Sequence, residues 1–120
     1  MAGQVVVVAK SGNPRKLVSP WIVTASADNA IATATKAAVA GQHHYLTSLH
    51  FGWDVAKIGA GQVNDNVTAV GYYAVHNERS ITFNPPHEIT LGNKIDAILG
   101  ASGTAGKIGY VTMTGYTSTP

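Results

Sequence analysis

Five histidines and six carboxylates carry most of the chemistry open to this 120-residue sequence. A metal site needs three or four such groups converging on one point. His44 and His50 fall on one face of an alternating run, but six residues of strand separate them by about 20 Å, too far to share an ion. His43 and His44 point to opposite faces of the same run. His44 meets His76 or His87 only if separate strands bring them together. Asp28, Asp54, Asp65, Glu78, Glu88 and Asp96 stand apart from one another, with neither the spacing of a calcium loop nor a local acid/base pair. No metal and no cofactor is expected within one chain; a site on a symmetry axis, with one histidine from each subunit, stays open. The alternative is that the histidines cap strand ends or line a subunit contact.

The glycine-rich stretch Gly100-Ala101-Ser102-Gly103-Thr104-Ala105-Gly106 is the other place where chemistry could sit. As a phosphate cradle it fails: Ala101 stands where the first glycine belongs, Gly106-Lys107 is followed by Ile108, and a strand pattern follows instead of a helix. As a nucleophile elbow it also fails, because Ser102 lacks the flanking glycine pattern and the strand-to-helix turn. It reads as a hairpin connection between strands Lys94–Ala101 and Lys107–Tyr116. No catalytic residue is assigned, and the chain is not expected to be an enzyme.

The elements around these residues are extended. Val5–Ala9 and Leu17–Thr24 are β-prone, with turn residues Ser11-Gly12-Asn13-Pro14 between them and Pro20 ahead of Trp21-Ile22-Val23. Ala30–Ala37 alternates as Ile31-Ala32-Thr33-Ala34-Thr35 and is assigned to a strand; its alanine content makes a helix the competing assignment. His43–Asp54 is the clearest strand, with Tyr45, Thr47, Leu49, Phe51 and Trp53 expected to face the core. Lys57–Asn66 is expected to be a loop and Val67–Val75 a strand. After a tight turn at His76-Asn77-Glu78, Arg79–Phe83 is a strand ended by Asn84-Pro85-Pro86, and Ile89–Leu91 is a short one. In the last strand Ile108, Tyr110, Thr112, Thr114 and Tyr116 share one face, and Gly109, Val111, Met113 and Gly115 the other.

Seven or eight short strands with closely spaced turns predict an all-β protein, an antiparallel β-sandwich or jelly roll. Residues 1–28 are read as an extended N-terminal arm and 29–120 as the sandwich domain. Within the arm, Val5, Val6, Val7 and Val8 could add a strand to a neighbour's sheet, with Trp21 and Ile22 as anchors; pairing within the chain's own sandwich is the equal alternative. Among the aromatics, Tyr72 and Tyr73 would be stacking groups for sugar rings if exposed, and core anchors if not.

Composition limits the function classes. Hydrophobic residues make up 45 % and charged residues only 12 %, with Thr, Ser, Ala and Gly filling the difference, which is unlike a disordered chain. The net charge is +2 and the pI about 9.0, without a basic stripe for nucleic acid; only Lys10, Arg15 and Lys16 cluster. There is no cysteine, so neither disulfides nor thiolate metal sites are available. No apolar run reaches the length of a membrane helix, and Met1–Lys10 lacks the layout of a signal peptide, so a cytoplasmic, non-membrane protein is expected.

Local patterns in order along the chain, Ala37-Ala38, Gly41, Tyr45-Leu46-Thr47-Ser48-Leu49, Ile81-Thr82-Phe83 with Pro85 or Pro86, Gly92-Asn93, Ala101–Gly106 and Gly115-Tyr116, resemble a group of small phage and prophage β-sandwich proteins of the virion. The resemblance runs from about Asn29 to Thr117. It departs at Asn84–Glu88, which is longer than the usual strand end, and in the histidine-rich strand. It implies a capsid decoration (cement) protein, assembled in the host bacterial cytoplasm and bound to the major capsid protein or other virion proteins, as a homo-oligomer, a trimer foremost. The alternative it leaves is a receptor- or glycan-binding module of a head fibre or tail.

Overall fold

The structure is a computed structural model that describes residues 17–120 and, as backbone, Val5–Val7 and Lys16. It is all-β. Eight strands run from residue 16 onward: β2 (Lys16–Asp28), β3 (Ala32–Lys36), β4 (His43–Trp53), β5 (Ile58–Asp65), β6 (Thr68–His76), β7 (Glu78–Glu88), β8 (Ile95–Leu99) and β9 (Ile108–Ser118). The short β1 (Val5–Val7) precedes them. No helix of the described residues is long and apolar enough to cross a membrane.

The strands form two antiparallel layers, β1-β2-β9-β4-β7 and β6-β5-β8-β3, joined in one ladder only at the pair His76↔Glu78. The layers pack face to face as a β-sandwich. Trp21, Leu46, Leu49, Phe51, Trp53, Val111 and Met113 project from the larger layer. Ala32, Ala34, Val63, Val75, Ile95, Ala97 and Leu99 meet them from the smaller. Strand β3 shows why a strand forms where alanine favours helix: Ala32 and Ala34 are buried, Thr33 and Thr35 face outward, and all five residues pair with β8. Backbone pairing and period-two burial outweigh a helix preference of a few tenths of a kcal/mol per residue.

Four expectations about where strands lie need correction. Residues 16–28 are part of the sandwich: Val18 through Asp28 pair with Ser118 through Ile108 without a break. The stretch expected as a loop at 57–66 contains strand β5, whose glycines admit core rings; Trp53 occupies the space a Gly59 side chain would need, and Phe51 that of Gly61. Strand β7 continues through the prolines to Glu88. Its pairing with β4 jumps from Ser48↔Thr82 to Leu46↔His87, so Pro85 and Pro86 fall where no ladder bond is asked of them. Ile89–Leu91 is no strand, although Ile89 is fully buried.

The glycine-rich stretch is not a hairpin turn. β8 pairs with β3 and β5, β9 with β2 and β4, so residues 100–107 carry the chain from one layer to the other. Gly103 and Gly106 take positive φ values of 79° and 78°, open to glycine at little cost. The hydroxyl of Ser102 is buried and bonds the carbonyls of Thr104 and Lys107, while Asp28 accepts from the Gly106 amide.

Candidate functional site

Strand β4 supplies three of the five histidines, His43, His44 and His50, and a bulge at Thr47 decides where they point. Both β7 and β9 change register between Leu46 and Ser48. Before the bulge His44 and Leu46 face the core; after it Leu49, Phe51 and Trp53 do. Tyr45, expected in the core with Leu49, Phe51 and Trp53, therefore lies on the outer face, and His44 is buried.

The outer face of the larger layer is a grid set by cross-strand register. One row reads Pro20, Tyr116, Tyr45 and Glu88; the next Ile22, Thr114, Ser48 and Thr82. Then come Thr24, Thr112, His50 and Ser80, and last Ser26, Tyr110, Gly52 and Glu78. No Lys or Arg stands in these four rows. Ile22 is 71 % exposed in the middle of one edge.

Aromatic groups occupy two regions of this face. Tyr45 and Tyr116 stack with centroids 4.9 Å apart, and the Tyr45 hydroxyl donates to Glu88 at 2.9 Å. Burial first, then the hydrogen bond and charge of Glu88, push the Tyr45 hydroxyl above the ordinary phenol pKa. His43 tilts against Tyr45 and bonds the Ile89 carbonyl through Nδ1 at 2.7 Å. At the other end Tyr110 and His50 lie nearly parallel, 17° between planes and 6.1 Å between centroids. His50 Nδ1 is 2.7 Å from Ser80 Oγ, and its Nε2 is 3.8 Å from a Glu78 oxygen. Gly52 has no side chain beneath the Tyr110 ring; a Cβ there would lie 2.6 Å from Cε2.

His44 belongs to a different arrangement inside the sandwich. Its Nε2 is 2.8 Å from the Ala37 carbonyl, its Nδ1 2.6 Å from Thr117 Oγ, and Trp21 Nε1 donates to that same oxygen at 3.0 Å. Burial, together with the charge of Lys36, lowers the His44 pKa below its ordinary value, against the hydrogen bond to Ala37. Beside Thr117 a recess of about 170 Å³ is lined by Leu17, Ser19, Lys36, Val39 and Gln42, small for a typical ligand site.

The sequence points to Val5, Val6, Val7, Val8, Trp21 and Ile22 as contact residues. The backbone of Val5–Val7 pairs with Lys16–Val18 of the same chain, and Val8 lies outside the described residues. Trp21 turns inward and is 9 % exposed, so it packs the core and is not presented to a neighbour, whereas Ile22 turns outward. Of the two tyrosines, Tyr72 is 73 % exposed on the smaller layer; Tyr73 turns inward against Phe51 and Phe83. Among the described residues no three His, Asp or Glu side chains cluster as a metal site; His43 approaches Glu88 and His50 approaches Glu78 only as pairs. The grouping of Tyr110, His50 and Gly52 was missed. Its signal is a glycine within a strand, which marks a close approach.

Comparison with protein-family models, with curated proteins and with solved structures gives no match.

Proposed function

We propose that this chain is a non-enzymatic structural protein of a bacteriophage virion, a decoration protein that binds the assembled head and stabilises it. The observation that carries the reading is the outer face of β2-β9-β4-β7, where exposed Ile22 sits among rows of Thr and Ser without a Lys or Arg. Covering the middle rows of this face removes no carboxylate from water, since Glu78 and Glu88 stand only in its end rows on β7, and charged residues are depleted from the centres of protein interfaces. The sequence resemblance to small virion β-sandwiches points the same way. The partners are the major capsid protein or another virion protein, with the chain acting as a homo-oligomer, a trimer at three-fold positions. Stabilisation arises by linkage, because a ligand that binds only the assembled shell shifts its disassembly equilibrium.

The test is addition of purified protein to undecorated phage heads. Co-sedimentation and a raised shell melting temperature are the expected results, both weakened by Ile22→Glu. Shells that neither bind the protein nor melt later overturn the reading.

A further inference from the structure

We propose that strand β6 is a self-association edge: two copies of this chain pair antiparallel along it, about a two-fold axis beside Tyr72. This goes beyond the shell-binding reading. β6 belongs to the smaller layer, away from the face assigned to the shell. The contact joins copies two by two, whether or not they also meet about a three-fold axis.

The sandwich has four sheet edges, β1 and β7 in the larger layer and β3 and β6 in the smaller. An edge offers unpaired N–H and C=O groups to any other strand, and proteins blunt it by shortness, charge or proline. β1 has three residues. β3 has five and ends on Lys36. β7 is long but carries Glu78, Arg79, Pro85, Pro86 and Glu88. β6 is nine residues long, Thr68–His76, and contains no Lys, Arg, Asp, Glu or Pro. Among the described residues it pairs with β5 on one side and with β7 only at His76↔Glu78, so Thr68–Val75 has an open side. With one such edge per molecule, its complement is the same edge of a second copy. A patch that meets itself closes as a two-fold dimer.

Arg79 shows which peptide groups face outward. Its Nη1 donates to the Ala74 carbonyl at 3.0 Å from the β7 side, so that carbonyl points away from β5. The Ala60 carbonyl, opposite Ala74, turns the other way and accepts from the Gly100 amide. Antiparallel alternation then directs the N–H and C=O of Tyr72 to the open side and those of Tyr73 to β5. Tyr72 is the middle residue of β6, so full overlap sets the two Tyr72 residues opposite each other, each N–H donating to the other carbonyl. Val70 of each copy then faces Ala74 of the other, a larger side chain against a smaller one. Val70 is the extra residue of a bulge, between Ala69, paired with Asn64, and Gly71, paired with Val63, and it ends the regular ladder.

The side chains favour the same contact. Of eight large apolar side chains exposed among the described residues, Ile58, Val67, Val70 and Tyr72 stand on the β5–β6 hairpin. The two Tyr72 rings become cross-strand neighbours on the outer face, a stabilising aromatic pair. No Lys, Arg, Asp or Glu of β6 opposes its own copy across the axis. The Ala74 carbonyl has a second lone pair, so its bond to Arg79 persists.

The experiment is sedimentation of the full chain from about 10 μM to 1 mM, with amide hydrogen exchange at both ends of that range. A rise in mass toward the dimer is expected, with slower exchange of the Tyr72 amide at high concentration. Tyr72→Pro removes an N–H that the intrachain ladder does not use, and Tyr72→Lys sets two like charges beside the axis. Each should weaken association at least about tenfold, while Thr33→Lys on the β3 edge should not. Tyr72 is exposed, so Tyr72→Lys keeps the test valid if Tyr72→Pro does not fold. The chain has no cysteine, so Tyr72→Cys adds a single thiol. Opposed Cα atoms of a hydrogen-bonded pair lie about 5.5 Å apart, within disulfide reach, so mild oxidation should link two copies, and Thr33→Cys should not link them. A monomer throughout the range, association unchanged in Tyr72→Lys, or linkage through Thr33→Cys instead overturns the proposal. None of these outcomes bears on shell binding, which has its own assay.

Discussion

Thr117 holds His44 in a single tautomer. The Ala37 carbonyl can only accept, so His44 Nε2 carries the proton and donates to it. Nδ1 must then accept, and the Thr117 hydroxyl donates to it while accepting from Trp21. One hydroxyl thereby joins β2, β4 and β9 through a chain of bonds with a fixed direction. Thr117→Val keeps the shape and removes both partners. It should destabilise the fold by about 1–3 kcal/mol, measured by urea unfolding, because two buried polar groups are left unpaired.

The same network makes stability depend on pH. A second proton on His44 would point Nδ1–H at a hydroxyl already committed as donor, and burial holds the folded pKa below the ordinary 6.5. The unfolded chain takes up that proton first as pH falls. The stabilisation is therefore whole above about pH 6.5 and is lost progressively from there down toward the folded pKa. The melting temperature of the wild type should drop between neutral pH and about pH 5, and His44→Gln should flatten that part of the profile. An unchanged profile would remove His44 as its source.

Gly115 is where β4, β9 and Trp21 come closest. A methyl group there would overlap the Tyr45 carbonyl oxygen and lie 2.7 Å from the Trp21 ring. Neither the backbone nor a buried indole can give way cheaply. Gly115→Ala should lower stability by about 3 kcal/mol. Gly100→Ala, which meets nothing closer than 3.9 Å, should be neutral or stabilising by about 0.5 kcal/mol. Chemical denaturation of the pair separates the two.

Asp65 ties the end of β5 to the turn before β8. It accepts from the Thr90 amide and hydroxyl and from Asn93 Nδ2. Burial raises its pKa, but the bonds from Asn93 and Thr90 and the charge of His87 outweigh burial and hold the carboxyl below its ordinary value. The stabilisation is present above about pH 4 and is lost as pH falls through the folded pKa. In Asp65→Asn the amides of Thr90 and Gly92-Asn93 should exchange hydrogen faster than in the wild type at neutral pH, with the core amides unchanged.

Periodicity carried much of the fold. The Thr and Ala alternation of 31–35 specified a strand, and Val111 and Met113 fell on the buried face of β9 as a period of two requires. What it could not carry was phase and partner. The bulge at Thr47 is fixed by how β7 and β9 pair with β4, and it turns Tyr45 out and His44 in. Gly59 and Gly61 look like turn residues until Trp53 and Phe51 are seen to fill the space above them. The candidate site was hidden for the same reason: Gly52, His50 and Tyr110 become neighbours only through the β4–β9 register.

The crossover at Ser102–Gly106 has a consequence for biogenesis. It delivers β9 between β2 and β4, so a central strand of the larger layer is the last of the nine to be synthesised. Until then β2 and β4 have no common partner, and their bonds span most of the sequence. Such non-local pairing makes closure slow. A ribosome-bound chain lacking residues 108–118 would present two unsatisfied strand edges to chaperones and to other nascent copies. Translation arrest or a premature stop before Ile108 should therefore yield aggregates and no partially folded sandwich.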